Sequence, residues 1–514
     1  MKAKVVWLVG ACLLLLVGCS NDPGGDNNGD MQCEPGEFRD DGCNECECLE
    51  DGTWSCTVVS CPDIVDTSDG HTEDGADDTS DAEQDIEPDG EADGIVDPAC
   101  ALPQPFDVDV QYQQDLFVAT DGSDSAEGGR DSELATLEEA ARLAEPGTRI
   151  YLRAGTYSGG TFIGDLQGTA DAPIKIIGLG DVVIEGGNSG LQLSDPQYLI
   201  LEHLDIRGAA QNGLNIDDGG SYDSPAHHIV LREVHVRDVG DGGNEDCIKL
   251  SGVDDFWVLD SSVSNCTGQG IDMVGCHRGV ISGSSVSDKP GAGIQAKGGT
   301  SDITIHGNRI SDVDGRGVNA GGSTGLEFFR PDDATYEGAD IRVVGNIFER
   351  VGAESGAPVA FVGCDGCTFA NNTVVEPQTW VARILQETTG ERFVPSRDGV
   401  FVNNIVVFNM ADIRNGTFVN VGPDTAPETF TFANNLWFAL DDPDFDGPTL
   451  SGGIPAPENS VVADPEFEDR EGGIYFIGPD SPAAGAGQAL TSQHPDYIDR
   501  CYADPPSIGA YVAE

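Results

Sequence analysis

The chain has 514 residues and an acidic composition, with 26 Lys and Arg against 90 Asp and Glu and a formal net charge of −64 at pH 7. Such a charge repels nucleic acid, so we exclude nucleic acid as a partner. It also disfavours other polyanions unless Ca²⁺ or local cations offset the repulsion. The linker segment 62–98 holds 15 of the 90 acidic residues and no Lys or Arg, so the charge is unevenly spread and local charges decide what binds at a given site.

Residues 1–18 predict an export signal. Two lysines precede an apolar run over 5–17, which is too short to span a membrane. The run ends in Leu16-Val17-Gly18-Cys19-Ser20, which resembles the lipobox of bacterial lipoproteins. The resemblance implies that acyl chains on Cys19 hold an exported protein at the cell surface, in the outer membrane, with 19–32 as a short tether and the lipid as the only membrane anchor. An ordinary signal peptide with an incidental cysteine is the alternative.

A cysteine-rich block occupies residues 33–61. Of the 15 Cys in the chain, six lie in this block, namely Cys33, Cys43, Cys46, Cys48, Cys56 and Cys61. A segment of about 30 residues cannot build a sufficient hydrophobic core, so disulfide bonds must stabilise it. A zinc site around Cys46-Glu47-Cys48 is the competing interpretation, but six Cys in an exported segment favour disulfides.

This block resembles the pacifastin family of small serine-protease inhibitors. The matching residues are Cys43-Asn44-Glu45-Cys46-Glu47-Cys48 and Gly52-x3-Cys56-Thr57-x3-Cys61. The resemblance implies three disulfides, Cys33–Cys48, Cys43–Cys61 and Cys46–Cys56. It also implies a reactive bond between Val58 and Val59, where a small aliphatic residue would suit an elastase-like serine protease as partner. A disulfide-stapled spacer or binding module is the alternative.

Residues 62–98 are rich in Asp, Glu, Gly, Ser and Thr and contain no Lys or Arg. A segment with so little apolar surface cannot offset the entropy cost of ordering, and its charges repel one another. We therefore predict a disordered, extended acidic linker that holds the following domain away from the membrane.

Residues 99–514 carry one short pattern at a nearly fixed interval. A small residue is followed by an apolar, a variable and an apolar residue in the segments 213–216, 247–250, 270–273, 293–296 and 317–320. The steps from Lys249 to Asp272, Gln295 and Asn319 are 23, 23 and 24 residues. Such a period indicates stacked repeats, and the alternation within each copy indicates short strands. We predict a mostly β fold, a right-handed parallel β-helix with one coil per repeat.

Two further features fit this fold. Asparagines that follow apolar strand residues are expected to stack amide on amide at tight bends in successive coils. They are Asn308, Asn346, Asn372, Asn404 and Asn435. The apolar residues of 137–144 fall on one helical face before Pro146-Gly147, which predicts a helix that caps the open N-terminal end of the solenoid.

Both ends of this domain resemble the pectate-lyase-like β-helix superfamily. The matching segments are 117–124 (FVATDGSD), 146–157 (PGTRIYLRAGTY), 464–467 (DPEF), 481–483 (SPA) and 508–511 (IGAY). The resemblance implies the fold, which hosts both enzymes and non-enzymes. The domain has seven Cys, an odd number, so at least one lacks a partner there. The candidate pairs are Cys100–Cys501, Cys247–Cys266 and Cys364–Cys367.

The variable residue of each repeat points outward, so successive coils place polar side chains in columns with a spacing of about 4.8 Å. One column holds Asn215, Lys249, Asp272, Gln295, Asn319 and Arg383, and the next column holds Lys297. We predict a polysaccharide or surface-glycan site on this face. The predicted substrate-binding residues are Gln295, Asn319, Asn215 and Arg383. Insertions at 322–338 and 386–397 are expected to form loops beside the groove.

The predicted chemistry is β-elimination on a uronate-containing chain. It needs a base that takes the proton α to a carboxylate and a positive charge that neutralises the carboxylate. In the β-helix lyases that the fold resembles, the base is typically Lys or Arg and the charge is often Ca²⁺ bound by Asp and Glu. Lys297 or Lys249 is the predicted base, with a pKa lowered by the neighbouring cation. The predicted calcium ligands are Glu245, Asp246 and Asp272.

Three alternatives stay open. Lys249 and Asp272 could form an ion pair across neighbouring strands on a solvated face. Lys297 has no acidic partner in its own column, which makes it the better candidate for the base. Glycoside hydrolysis would need Asp272 together with Asp246 or Asp217. A non-enzymatic surface scaffold that binds glycans or other cells is the third possibility.

Overall fold

A computed structural model describes residues 38–40, 45–48, 54–56, 100–108, 110–221, 223–288 and 291–514. The chain divides into two compact units, Met1–Ile86 and Glu87–Glu514. The predicted signal, the predicted lipidation site Cys19, the Val58–Val59 bond and the whole acidic linker 62–98 lie outside the described residues.

The first unit contains three short strands, β1 (Phe38–Asp40), β2 (Glu45–Cys48) and β3 (Trp54–Cys56). They form an antiparallel sheet in the order β1-β2-β3. The register sets the Cα of Cys46 opposite that of Cys56, which is the placement that the implied Cys46–Cys56 bridge requires. Cys33, Cys43 and Cys61, which belong to the two other implied bridges, lie outside the described residues.

The second unit is built almost wholly of strands. In chain order its first elements are β4 (Gln114–Val118), α1 (Leu137–Leu143), β5 (Thr148–Ser158), β6 (Thr161–Gly164), β7 (Ile174–Glu185), β8 (Leu191–Ser194), β9 (Gln197–Arg207), β10 (Leu214–Asp217), β11 (Ala226–Val239), β12 (Ile248–Ser251), β13 (Val253–Leu259), β14 (Ser262–Cys266), β15 (Ile271–Val274), β16 (His277–Ser282), β17 (Ser285–Ser287), β18 (Ala292–Lys297), β19 (Thr300–His306), β20 (Arg309–Ser311) and β21 (Arg316–Gly321).

The remaining strands are β22 (Gly338–Ala339), β23 (Arg342–Val344), β24 (Ile347–Glu349), β25 (Val359–Val362), β26 (Cys364–Asp365), β27 (Thr368–Ala370), β28 (Thr373–Val375), β29 (Ala382–Leu385), β30 (Val400–Val402), β31 (Ile405–Phe408), β32 (Val419–Val421), β33 (Thr431–Ala433), β34 (Leu436–Ala439), β35 (Val461–Val462), β36 (Phe467–Asp469) and β37 (Ile474–Ile477). Short 3-10 helices cover Leu326–Phe328, Arg414–Gly416 and Pro427–Thr429.

The strands wind as a parallel β-helix, which confirms the predicted fold. One ten-stranded sheet takes a strand from each successive coil, in the order β32-β29-β25-β21-β18-β15-β12-β10-β8-β6. The other strands, except β36 and β37, form the rest of the wall, and β36 pairs with β37 in an antiparallel ribbon. Each repeat closes one coil because its apolar residues can be buried only against the coils above and below.

The core runs along the inside of the solenoid. In the ten-stranded sheet the inward residues Ile248, Leu250, Ile271 and Met273 are buried, as the alternation predicts. Farther along, aromatic rings from successive coils form a ladder of Phe348, Phe369, Phe401 and Phe432, with neighbouring ring centroids 5.1 to 5.2 Å apart. Like residues therefore stack on like residues throughout the core.

The predicted asparagine ladder is confirmed. The backbone N–H and the side-chain amide of Asn308 donate to Asn346 Oδ1 at 2.9 and 3.0 Å, and Asn346 donates to Asn372 in the same way. Asn372, Asn404 and Asn435 continue the series. All five side chains are buried, so the ladder satisfies polar groups that would otherwise be unpaired at the bends.

The predicted capping helix is also present, ending one residue earlier than expected. Thr136 caps its N-terminus and accepts a hydrogen bond from the Glu139 N–H at 3.2 Å. Leu137, Ala140 and Ala141 are buried against the first coil. The helix thereby covers apolar surface that the open end of a solenoid would expose.

The three candidate disulfides of this domain are formed, and Cys276 is the free cysteine among the described residues. Cys100 and Cys501 are 401 residues apart in the chain, so their bond ties the two ends of the domain together. Within the described part of the chain, no helix is long and apolar enough to cross a membrane.

Candidate functional site

The register of the ten-stranded sheet produces the predicted outward column. Asn215 pairs with Lys249, Lys249 with Asp272, and Asp272 with Gln295. The column continues through Asn319 and Ala360 to Arg383. In the neighbouring column Val274 pairs with Lys297. The repeat pattern therefore predicted the side-chain rows correctly.

Two lysines and two aspartates meet on this face, and we call Lys249, Lys297, Asp246 and Asp272 the lysine–aspartate cluster. Lys249 Nζ donates to Asp272 Oδ2 and to Asp246 Oδ2, the latter at 3.2 Å. Lys297 Nζ lies 3.3 Å from Asp272 Oδ1 but does not make a hydrogen bond with it. Lys297 has no acidic partner in its own column, as predicted, yet its long side chain reaches diagonally to Asp272.

The Lys249–Asp272 ion pair, one of the alternatives, is present. It does not lie on a solvated face, however. Both Asp246 and Asp272 are buried, and only the lysines remain partly exposed. Burial and the Asp272 carboxylate raise the pKa of Asp246, to about 6. Burial alone would lower the pKa of Lys249, but the two carboxylates outweigh it and raise that pKa. Lys249 therefore stays charged in this environment, and the lowering of its pKa by a neighbouring cation stays a prediction.

A cavity of about 630 Å³ opens above the cluster. Its lining residues are Asp218, Gly220, Lys249, Ser251, Gly252, Val274, Lys297, Ser323, Thr324, Gly325, Glu327, Phe328 and Arg330. Both lysines face this cavity, whereas Asp246 and Asp272 lie behind it. The wall thus presents ammonium groups to a ligand, and the buried carboxylates hold those groups in place.

The insertion 322–338 forms one side of the cavity, as predicted, and we call it the cavity loop. Arg330 fixes it to the wall by donating two hydrogen bonds to Asp254, at 2.6 and 2.9 Å, and one to the Gly275 carbonyl at 2.9 Å. Burial alone would raise the pKa of Asp254, but hydrogen bonds from Arg330 and His277 hold it well below its usual range. At the tip of the loop, Phe328 is 60% exposed at the cavity rim.

Glu337 secures the other end of the cavity loop. It is fully buried and accepts hydrogen bonds from the Gly298 N–H at 2.8 Å and from the Thr324 hydroxyl at 2.7 Å. The hydroxyl of Thr388 also donates to it. Thr388 belongs to the second predicted loop, 386–397, which therefore packs on the cavity loop and supports it from behind.

The other predicted substrate-binding residues are not gathered at the cavity. Gln295 is 8% exposed and Asn319 is 3% exposed, so neither side chain presents much surface here, and their role in binding stays a prediction. Asn319 is covered because Arg316 donates to its side-chain oxygen at 2.9 Å. Asn215 donates to Asp217 at 2.9 Å, and Arg383 lies four strands from Asp272 along the sheet.

The three predicted calcium ligands do not form a set. Glu245 accepts a hydrogen bond from the Thr267 hydroxyl at 2.6 Å, while Asp246 and Asp272 both accept from Lys249. The ammonium group takes the position between the carboxylates that a cation would need. Across the described residues, no group of three or more His, Cys, Asp or Glu side chains is arranged to hold a metal ion.

The sequence pattern missed Arg330, Asp254, Glu337 and Phe328. Three of them belong to the cavity loop, which interrupts the repeat, so no periodicity could place them. Asp254 lies on β13, outside the sheet that carries the predicted columns. The only sequence signal was the insertion itself, which predicted a loop near the groove but not which of its side chains would reach the wall.

The fold and the polar cavity define a parallel β-helix protein with an attached cysteine-rich module, and known proteins agree with both parts. The family described as "right handed beta helix region" matches residues 189–378, and the family described as "Pacifastin inhibitor (LCMII)" matches residues 32–71. These matches confirm the resemblances to the pacifastin family and to the β-helix proteins, and the lipobox resemblance stays a prediction.

Serine protease inhibitor 3 of Schistocerca gregaria is 47% identical over 32 residues, which are 6% of this chain and 51% of that protein. The chain thus spans about half the length of this curated relative. Among solved structures, pectate lyase Pel9A has a TM-score of 0.51 at 13% identity, covering 79% of this chain and 98% of its own. An alginate lyase from Paenibacillus sp. str. FPU-7 has a TM-score of 0.42 at 17% identity, covering 68% and 99%.

Proposed function

We propose that the second unit binds an acidic polysaccharide at the lysine–aspartate cluster and cleaves it by β-elimination. The observation that carries the proposal is the pair of lysines on the cavity wall, with both carboxylate partners buried behind them. Both lysines line the cavity, together with Asp218 and Glu327, so their ammonium groups are open to a uronate carboxylate that enters it. The lysines thus offer local positive charge on an otherwise strongly acidic chain.

The two lysines differ in a way that suits two roles. Lys249 donates to two carboxylates, and its raised pKa keeps it charged, so it neutralises the uronate carboxylate. Lys297 Nζ lies 3.3 Å from Asp272 Oδ1 without a hydrogen bond to that atom and faces the cavity, so we assign it the role of the base. Lys297 takes the proton α to the carboxylate, a carbon–carbon double bond forms, and the bond to the leaving glycosidic oxygen breaks. That oxygen takes a proton from solvent.

Hydrolysis fits this geometry less well. It requires two carboxyl groups that face one glycosidic bond. Asp246 and Asp272 are both buried and both contact Lys249, so neither faces the cavity. Asp217 accepts hydrogen bonds from Ser194 and Asn215, at 2.6 and 2.9 Å. Asp218 and Glu327 line the cavity, so they are the carboxylates that a hydrolytic mechanism would have to use; the two lysines beside them favour elimination.

Calcium stays a prediction that this mechanism does not need, because Lys249 supplies the positive charge. The substrate class is suggested by the fold neighbour Pel9A, a pectate lyase, which makes pectate the first polysaccharide to test. Alginate and glycosaminoglycans follow because they also carry uronates.

The test is to incubate the protein with each polysaccharide, with and without Ca²⁺, and to follow the ultraviolet absorbance of an unsaturated product. Cleavage is expected in the wild type and lost in Lys297→Ala, while Lys249→Ala loses both binding and cleavage. Binding without any product would leave the non-enzymatic glycan-binding scaffold as the function. Failure to bind any of these polysaccharides would refute the proposal.

For the cysteine-rich module we propose inhibition of a serine protease, supported by the 47% identity to Serine protease inhibitor 3. The implied reactive bond, Val58–Val59, suits an elastase-like pocket. The excised 32–71 segment should inhibit elastase-like rather than trypsin-like proteases, and Val58→Arg should reverse that preference. No inhibition at micromolar excess of the module would leave the spacer as its role.

We also propose that the protein is exported and anchored at the outer membrane through lipid on Cys19. Incorporation of a labelled fatty acid into the wild type, and none into Cys19→Ala, is the expected result. Labelling that persists in Cys19→Ala would contradict the proposal.

A further inference from the structure

A second group of cations lies beyond the cavity loop, around Trp380. The guanidinium groups of Arg383 and Arg414 both stack on this ring, with their central carbons 4.7 and 4.8 Å from its centroid. Trp380 itself is largely buried, so the ring is a fixed support. Stacking of this kind holds a guanidinium plane in a defined orientation.

The two guanidinium groups converge on one residue. Arg383 donates to the Ser355 carbonyl at 2.9 Å, and Arg414 donates to the Ser355 hydroxyl at 3.1 Å. Arg383 also donates to Asn420 at 3.1 Å. All these partners are neutral, and within the described residues neither guanidinium forms an ion pair with a carboxylate.

The local charge is strongly positive. Arg316 is nearby and pairs with Glu387 at 2.5 Å, so the carboxylate of Glu387 is already engaged and, among the described residues, Arg383 and Arg414 add their charges to it unpaired. Burial, followed by repulsion from Arg316, lowers the pKa of Arg383 to about 10. Two like charges held side by side repel each other, and a bound anion removes that repulsion. A cluster of cations is unusual in a chain whose net charge is −64.

We propose that Arg383 and Arg414 form an oxyanion site that takes a carboxylate or sulfate group of an acidic polysaccharide. The planar fork of a guanidinium matches either oxyanion with two parallel hydrogen bonds. The ligand class rests on the proposed function, and the site would make the protein select long polyanions over short ones.

The position of the site supports that selection. Arg383 lies four strands from Asp272 along the sheet, which is about 19 Å at about 4.8 Å per coil. The column between them is covered, since Gln295, Asn319 and Ala360 are buried. The two cationic centres are therefore separate sites, which a long chain can reach together and a disaccharide cannot.

The experiment measures binding of polygalacturonate, dextran sulfate, neutral dextran and a uronate disaccharide to the full chain. Arg383→Ala and Arg414→Ala should each weaken binding of the matching polyanion by about tenfold or more and leave the disaccharide unaffected. If the variants weaken binding of polygalacturonate, the site takes a carboxylate; if they weaken binding of dextran sulfate, it takes a sulfate. Arg383→Lys, which keeps the charge but loses the fork, should give an intermediate loss and shows whether charge alone suffices.

Arg350→Ala is the matched control, because it removes an exposed guanidinium that already pairs with Asp312. An equal loss in Arg350→Ala, or unchanged binding in both Arg383→Ala and Arg414→Ala, would overturn the inference. Thermal unfolding of each variant shows that a loss of binding is not a loss of fold. If Lys249→Ala binds normally while the arginine variants do not, the proposed function fails and the oxyanion site stands; the reverse result overturns only the site.

Discussion

Asp272 lies between two lysines, and its burial determines what a substitution there would do. Removing one member of a buried charge cluster leaves the others uncompensated. Asp272→Ala should therefore lower the free energy of unfolding by about 3–5 kcal/mol, measured by denaturant titration. Asp312→Ala is the control, because its ion pair with Arg350 is exposed and should contribute about 1 kcal/mol or less. Equal losses of unfolding free energy in the two variants would mean that buried charge does not stabilise the lysine–aspartate cluster.

The raised pKa of Asp246 predicts that the free energy of unfolding depends on pH. Burial, with the Asp272 carboxylate, raises its pKa in the folded protein to about 6, above the ordinary 3.8. The folded state then binds more protons than the unfolded state between these values, so this group's contribution to stability is greatest below pH 3.8 and is lost as the pH rises towards 6. Asp246→Asn should remove that fall, which is on the order of 3 kcal/mol.

Many other carboxyl groups titrate in the same pH range. The control is therefore a carboxyl group whose pKa is changed by folding in the opposite direction. A hydrogen bond from Arg350 lowers the pKa of Asp312. Its contribution to stability is therefore present above the unfolded pKa and lost as the pH falls. The difference curves of Asp246→Asn and Asp312→Asn against the wild type should slope in opposite directions. Parallel curves would contradict the environment found for Asp246.

At the scale of elements, the strands were predictable and the loops were not. Alternating apolar residues determined which side chains of β12, β15 and β18 point outward, and the repeat length determined which of them are neighbours. Asp272 was therefore placed correctly beside Lys249. The diagonal reach of Lys297 depends on a side-chain conformation that no period encodes, and the burial of Gln295 and Asn319 depends on covering groups from elsewhere.

The cavity loop gives a test at this scale. Arg330 is its contact with Asp254, so Arg330→Ala should free the loop, speed proteolysis within 322–338 and weaken polysaccharide binding, at a stability cost on the order of 2 kcal/mol. Arg278→Ala is matched, because Arg278 also donates to Asp254 but lies on β16. Cleavage sites mapped by mass spectrometry should change in the first variant alone. Equal release by Arg278→Ala would show that the ion pair is not the anchor.

At the scale of the whole molecule, the net charge and the two cationic centres act over different distances. Repulsion from −64 charges is screened beyond a Debye length of about 8 Å in physiological salt, whereas the ammonium and guanidinium groups act at contact. We therefore expect the protein to bind those polyanions whose anionic groups reach both centres.

The two ends of the β-helix domain supply the last prediction. The N-terminal segment 100–108 packs along the outside of the coils, where Trp257 donates to the Pro103 carbonyl at 2.9 Å, and the C-terminal segment contacts His306. The Cys100–Cys501 bond joins these segments. A solenoid whose coils contact only their neighbours unfolds from its ends. This bond should therefore contribute more to the stability of the domain than the contacts around it suggest.

Replacing Cys100 and Cys501 with Ser should cost about 2–4 kcal/mol, because the bond closes a very long loop in the unfolded chain. Hydrogen exchange should rise first in 100–108 and in the C-terminal segment, while the central coils stay protected. The matched control replaces Cys364 and Cys367, which are 3 residues apart and close a loop with little entropy to lose, so its effect on stability should be smaller. If both double variants lose the same stability, or if exchange rises first in the central coils, the ends of the domain do not limit its unfolding.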